Sequence, residues 1–252
     1  MKLPAVNFAK KPSEMDRRDF LKAGGAVATM AIAPGVTLMA FGGTTAEAAA
    51  DPGKRWGLLI DVGKCANDCT ACVSACSKEN GWKTPENPAT DAQWIRKVDL
   101  KDKSTGREFS LPVMCQHCES APCVDVCPTT ASFKRPDGIV LVDKHRCIGC
   151  RYCMMACPFK ARSFIHEELH DQKAHAPRGK GTVESCTLCV HRVDAGGTPA
   201  CVEACAATGH GAMVFGDLND PNSDISKALD AYPSVKLRDD LGLNQGLHYA
   251  NL

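Results

Sequence analysis

The sequence predicts an α+β fold of two pseudo-symmetric halves, built from short strands and short helices with hairpin insertions and a C-terminal strap. Three observations carry that expectation. Sixteen cysteines fall into four groups of four. Each group sits beyond a short strand or hairpin and leads into a short helix beginning near its fourth cysteine, so one unit is repeated. Aromatic residues make up only 6% of the 252 residues, unusual for a domain relying on an apolar core. Something inorganic or covalent must help hold the interior together.

The third group is the most specific. Cys147-Ile148-Gly149-Cys150-Arg151-Tyr152-Cys153-Met154-Met155-Ala156-Cys157-Pro158 places three thiols two residues apart, then a fourth after three more, then proline. That is the bacterial ferredoxin run for a [4Fe–4S] cluster, whose fourth cysteine serves the other cluster of a two-cluster unit. Gly149 is expected to let the loop backbone approach the inorganic sulfides. One such run implies a second, and this chain has four.

The elements follow in chain order. Asp16-Arg17-Arg18-Asp19-Phe20-Leu21-Lys22 resembles a twin-arginine export signal, followed by a mild apolar stretch at 23–43 and small residues at 46–50. Cleavage is expected after Ala48 or Ala50, and Met15 is an alternative start. A membrane anchor is the competing reading, opposed by Pro34 and the many glycines. Arg55 to Asp61 reads as a strand entering group one, Cys65-x3-Cys69-x2-Cys72-x3-Cys76. Residues 77–93 are polar, with Pro85 and Pro88, and read as a loop. Trp94–Leu100 and Glu108–Val113 flank Lys103-Ser104-Thr105-Gly106 as a hairpin. Group two is Cys115-x2-Cys118-x4-Cys123-x3-Cys127-Pro128. Ala131–Phe133 and Ile139–Val142 form a second hairpin around Pro136-Asp137-Gly138, leading into group three. Residues 167–182 are charged and read as a loop. Group four is Cys186-x2-Cys189-x11-Cys201-x3-Cys205, closed by a strand at Ala212–Phe215. Beyond Gly216, Asn222 or Ser223 can cap a helix through Leu229. The rest, to Leu252, lacks cysteines and periodicity and reads as a strap. The expected domains are a signal peptide (1–50), one half from 51–110 plus 183–218, a second half from 111–182, and a tail from 219–252.

Charge excludes some partners. The formal net charge is +1, and without the first fifty residues 24 basic face 25 acidic side chains. No basic stripe suggests nucleic acid. After residue 50 no apolar run approaches the roughly 18–20 residues that span a bilayer. An exported chain with many cysteines could carry disulfides, and paired C-x-x-C elements could hold zinc. The three-plus-one spacing and the prolines after Cys127 and Cys157 favour iron–sulfur. No residue reads as a catalyst. His117, between two cysteines, reads as packed. Cys189-Val190-His191 misses the haem pattern by one residue. Gly179-Lys180-Gly181 is too short for a phosphate loop. Met154, Met155, Trp82 and Trp94 read as packing. Lys64, Lys144, Arg146 and Arg151 flank cysteines and could raise local potentials, although each reads individually as a solvated charge.

From Trp56 to Leu218 the body resembles the four-cluster ferredoxin-like electron-transfer subunits of the dimethyl sulfoxide reductase, formate dehydrogenase and polysulfide reductase type. Cys115-Gln116-His117-Cys118 and the Cys147–Pro158 run are the most specific stretches. The resemblance implies four [4Fe–4S] clusters. Cys65, Cys69, Cys72 and Cys205 would hold one, and Cys186, Cys189, Cys201 and Cys76 its neighbour. Cys115, Cys118, Cys123 and Cys157 would hold a third, and Cys147, Cys150, Cys153 and Cys127 the fourth. Group one departs from the pattern, with three residues between its first two cysteines where the family has two. That opening, the twin-arginine motif and Phe215–Ser223 look most like the periplasmic O subunits of Dsr membrane complexes.

The resemblance implies a non-catalytic electron-transfer role, peripheral to the cytoplasmic membrane on its periplasmic side. The partners it implies are an NrfD or polysulfide reductase-type integral membrane subunit, a multihaem cytochrome c and other Dsr subunits. Two alternatives stand beside it. One is the iron–sulfur subunit of a molybdopterin oxidoreductase reducing tetrathionate, thiosulfate, polysulfide or nitrite. The other is a zinc- or disulfide-stapled binding module.

Overall fold

The computed structural model describes residues 29–33, 36–39, 50–83, 86–87, 90–170 and 172–252. The twin-arginine motif, the residues up to Ala49 in the cleavage run, Pro85 and Pro88 lie outside them. The chain divides into two compact units, Met1–Ala49 and Ala50–Leu252. In the first, β1 (Thr29–Ala33) and β2 (Val36–Met39) pair antiparallel.

The second unit is built on β3 (Trp56–Asp61), whose Leu58, Leu59 and Ile60 are almost fully buried. A continuous apolar run of this kind belongs to a strand covered on both faces. It is followed by α1 (Ala71–Asn80) and a hairpin of β4 (Ile95–Lys101) and β5 (Glu108–Met114). The short α2 (Pro122–Asp125) precedes a second hairpin, β6 (Ser132–Lys134) with β7 (Val140–Val142). Both hairpins fall where turn chemistry placed them. In the first, the Asp102 carboxylate accepts hydrogen bonds from Ser104 N–H (2.8 Å) and Thr105 Oγ1 (2.6 Å). Next come α3 (Tyr152–Ala156), the two-residue pair β8 (Ser163–Phe164) and β9 (Val183–Glu184), α4 (Val190–Asp194) and α5 (Ala200–Ala207). The chain between β8 and β9 has no helix among its described residues. It is pinned by Arg178, which grips buried Glu184 with two 2.8 Å bonds.

The chain closes with β10 (Met213–Asp217), α6 (Asp224–Ala231), β11 (Ser234–Val235) and β12 (Leu247–Ala250). Ser223 caps α6, its Oγ accepting Ser226 N–H at 3.2 Å. The expected strap is corrected here. The tail does not lie across the body but completes its central sheet, ordered β10-β3-β12-β11. β12 runs parallel to β3, with Tyr249 beside Ile60, while β10 runs antiparallel to it. A four-residue segment gave no periodicity to read, yet Leu247, Tyr249 and Ala250 are buried. One face of the sheet packs Leu58, Ile60, Leu247 and Tyr249 into a core shared with the cysteines. The other packs Leu59 and Ala250 against Ile225 of α6.

The helices also differ from expectation. They begin one residue before the third cysteine of each group, not near the fourth. Cys72, Cys123, Cys153 and Cys201 are therefore each the second residue of a helix. The fourth cysteine follows one turn later, four positions on.

Candidate metal centres

The sixteen thiols are free; no disulfide joins any of them. Three cavities bring twelve of them together. Cys65, Cys69, Cys72 and Cys205 line one, with Ile60, Pro112 and Ala212. Cys115, Cys118, Cys123 and Cys157 line another, with Phe159 and Arg162. Cys127, Cys147, Cys150 and Cys153 line the third, with Ser132, Ile148 and Arg151. The remaining four are neighbours inside the protein, where Cys186 lies in the electrostatic field of Cys76, Cys201 and Cys189. In every quartet three cysteines come from one group and the last from another. The exchange follows from the helices: residues four apart share a face, yet the third cysteine sits at the start of the helix and the fourth a turn beyond.

The spacing of the donors decides what such a quartet can hold. Tetrahedral zinc at about 2.3 Å from each thiolate would draw its sulfurs to roughly 3.8 Å from one another. Among the described residues, the one group of three ligating side chains with all donor atoms within 4.8 Å of each other is Glu79, His175 and His191. No three thiols come so close. Such a separation argues against one tetrahedral ion per quartet and suits a larger inorganic group. Within that cluster His191 Nε2 already bonds the Glu79 carboxylate at 2.8 Å. The two imidazoles stack with centroids 3.8 Å apart and 28° between planes. Arg192 also holds the Glu79 carboxylate, at 3.1 Å.

Burial pushes the Cys72 thiol up to about 11 and those of Cys76, Cys115 and Cys118 up to about 12. Without a bound cation these sulfurs stay protonated at neutral pH; a metal is what makes them thiolates. Donors are in place for the negative charge that results. Backbone N–H groups of Ser132, Val183, Leu188 and Ala212 point at the sulfurs of Cys127, Cys147, Cys186 and Cys205 at 3.3–3.5 Å. Trp82 Nε1 donates to Cys76 Sγ at 3.4 Å.

Several functional neighbours were invisible in the sequence. Trp82, read as packing, is buried but also touches a thiol. Arg162 donates to Cys123 Sγ at 3.1 Å, and its only sequence signal is its place five residues after Cys157. Lys97, from β4, donates to the carbonyls of Ala66, Asn67 (2.7 Å) and Cys69 (2.7 Å). It thus closes the enlarged loop of group one with a cation. Of the four cations singled out from sequence, Lys144 donates to Val183 O and is pushed down to about 8 by burial. Lys64 pairs with Asp61, Arg146 with Thr130, and Arg151 lies over the Phe164 ring. His117 is packed, its Nδ1 accepting Val140 N–H at 3.0 Å. Gly149 has a reason the sequence did not reveal. At φ 71° its missing Cβ would stand 2.2 Å from the Gly181 carbonyl oxygen, so glycine admits another loop's backbone there.

Comparison with known proteins agrees with this chemistry. A 4Fe-4S dicluster domain matches residues 107–218. A twin-arginine translocation signal matches residues 14–34 and directs the chain to the periplasm. The Hdr-like menaquinol oxidoreductase iron-sulfur subunit 1 of Archaeoglobus fulgidus is 43% identical over 94% of this chain and 98% of its own. Protein NrfC of Escherichia coli K12 is 39% identical over 78% of this chain and 80% of its own. A tetrathionate reductase subunit of Salmonella typhimurium is 40% identical over 71% of this chain and 64% of its own. The chain belongs to the family of ferredoxin-like iron–sulfur subunits of the NrfC, Hdr-like menaquinol oxidoreductase and dimethyl sulfoxide reductase type.

Proposed function

We propose that the four quartets hold four [4Fe–4S] clusters and that the exported chain is a non-catalytic electron-transfer subunit of a Dsr-type membrane complex linked to sulfur metabolism. The observation that carries the reading is the exchange of one cysteine between groups in each quartet, with sulfurs too far apart for a single ion. When bound, such clusters supply reversible one-electron transfer. The chain's own residues do the rest. Apolar side chains such as Ile60, Phe159 and Leu188 keep water from the quartets. Backbone N–H groups and the cations Arg162, Lys97 and Lys144 offset thiolate charge, which raises potentials within the family's span of about −700 to +450 mV.

The quartets fall into two halves, 51–110 with 183–218 and 111–182, each pairing two centres through its helices. Partners of the NrfD type in the membrane and of the multihaem cytochrome type would then exchange electrons with the chain. Among the described residues no helix is long and apolar enough to cross a membrane. A relative that matches 94% of this chain is named a menaquinol oxidoreductase subunit, which favours a quinol-linked complex. Similarity to the tetrathionate reductase protein favours the second reading, the iron–sulfur subunit of a molybdopterin enzyme. Anaerobic purification of the native complex tests both. The proposal expects about sixteen iron and sixteen acid-labile sulfide per chain, with haem and membrane subunits co-purifying. A co-purifying molybdopterin subunit selects the second reading; iron near four per chain removes the four-cluster claim.

A further inference from the structure

Arg162 is 5% exposed, and among the described residues its guanidinium bonds a hydroxyl and a thiol and no carboxylate. A buried guanidinium without an acid needs another source of negative charge. The fork of Arg162 faces two quartets at once. One nitrogen donates to Cys123 Sγ at 3.1 Å, in the Cys115/Cys118/Cys123/Cys157 quartet. The other donates to Ser132 Oγ at 2.9 Å, and Ser132 N–H donates in turn to Cys127 Sγ at 3.4 Å, in the Cys127/Cys147/Cys150/Cys153 quartet. Cys153, of the second quartet, also lies within its field. A planar guanidinium reaches two acceptors in fixed directions where a lysine ammonium acts as a point charge.

We propose that Arg162 is a positioning residue that sets the potentials of two centres together, as their shared counter-charge and as the hydrogen-bonded link between Cys123 and Cys127. The inference rests on the four-cluster reading. Each centre gains one negative charge when it takes up one electron from its redox partner, with no bond made or broken. A fixed positive charge held between the two therefore favours the reduced form of both. The other two quartets, beyond its contacts, are unaffected.

The test is an anaerobic EPR redox titration of the purified full chain as wild type, Arg162→Gln and Arg162→Lys. Wild-type iron well below sixteen per chain defeats the four-cluster reading itself, before any variant is compared. With the iron complete, Arg162→Gln is expected to lower two of the four midpoint potentials. At a fixed poise, the reduced-to-oxidised ratio of each should drop at least tenfold, about 59 mV for a one-electron couple. Arg162→Lys should recover more than half of that shift. Unmoved potentials, a shift in one centre alone, or equal falls in both variants overturn the proposal. Should Arg162→Gln lose iron, Ser132→Ala carries the test. It keeps the backbone donor to Cys127 and frees one arm of the guanidinium. It should lower the potential of the Cys127/Cys147/Cys150/Cys153 centre by a smaller amount, and no change there overturns the link.

Discussion

At the scale of single residues, the decisive feature is that neighbours in sequence serve different cavities. Cys201 and Cys205 are one helical turn apart in α5, yet Cys205 lines a cavity with Cys65, Cys69 and Cys72, while Cys201 lies in the field of Cys76 and Cys189. This arrangement makes a crossed prediction. Cys205→Ser should alter the EPR signal of the centre built on group one, and Cys76→Ser that of the centre built on group four. If each substitution instead perturbed the centre of its own group, the exchange would be wrong. The thiols were legible in the sequence because ligand spacing is a local property, imposed by a loop of a few residues. The charges that complement them were not. Arg162 and Lys97 reach their positions through tertiary contacts, and a cation several residues from a ligand looks like any solvated cation. Lys144 looked the same, and only its burial distinguishes it from Lys64 and Arg151.

At the scale of elements, group one shows how a departure from the usual spacing is accommodated. The loop Cys65–Cys69 carries one extra residue, and only its Ala66 carbonyl is met by a backbone donor from within the loop, Cys69 N–H at 3.2 Å. β4 supplies the remedy, since Lys97 gathers three of those carbonyls and Ser110 of β5 adds a contact to Asn67 at 3.2 Å. Lys97→Gln removes the charge and most of the clamp. The expected result is selective loss of the group-one centre, a fall of roughly four iron per chain, with the other three signals intact. Unchanged iron would mean that the loop holds its shape unaided. The tail is built from one locally encoded element and one that is not. Its helix was legible from the Ser223 cap, whereas β12 was not, because four residues pairing with a strand nearly two hundred positions away leave no local trace. Leu247 is fully buried between β3 and the cysteine-bearing core. Leu247→Ala should therefore cost about 2–5 kcal/mol, read as a lowered apparent Tm of the cluster-loaded chain. A loss under about 0.5 kcal/mol, the size expected of a surface site, would make β12 peripheral after all.

At the scale of the whole molecule, packing and cofactor assembly are one process. The principal core counts Cys72, Cys76, Cys115, Cys157, Cys186, Cys201 and Cys205 among its buried members, beside Leu58, Ile60 and Tyr249. These thiols are poor substitutes for packed apolar side chains unless something fills the cavities they surround. Metal binding then supplies folding free energy directly. The periplasm adds a second constraint, because it is kept oxidising. An empty chain exported there would meet disulfide formation among sixteen free thiols before it met iron. The twin-arginine signal resolves the conflict only if the centres are complete before export. Replacing Arg17 and Arg18 with lysine should therefore leave a chain in the cytoplasm that already carries its full complement, about sixteen iron. It should also show the same protease resistance as the exported form. Recovery of a metal-free, protease-sensitive chain from that variant would place assembly after export and separate the folding of this molecule from the loading of its centres.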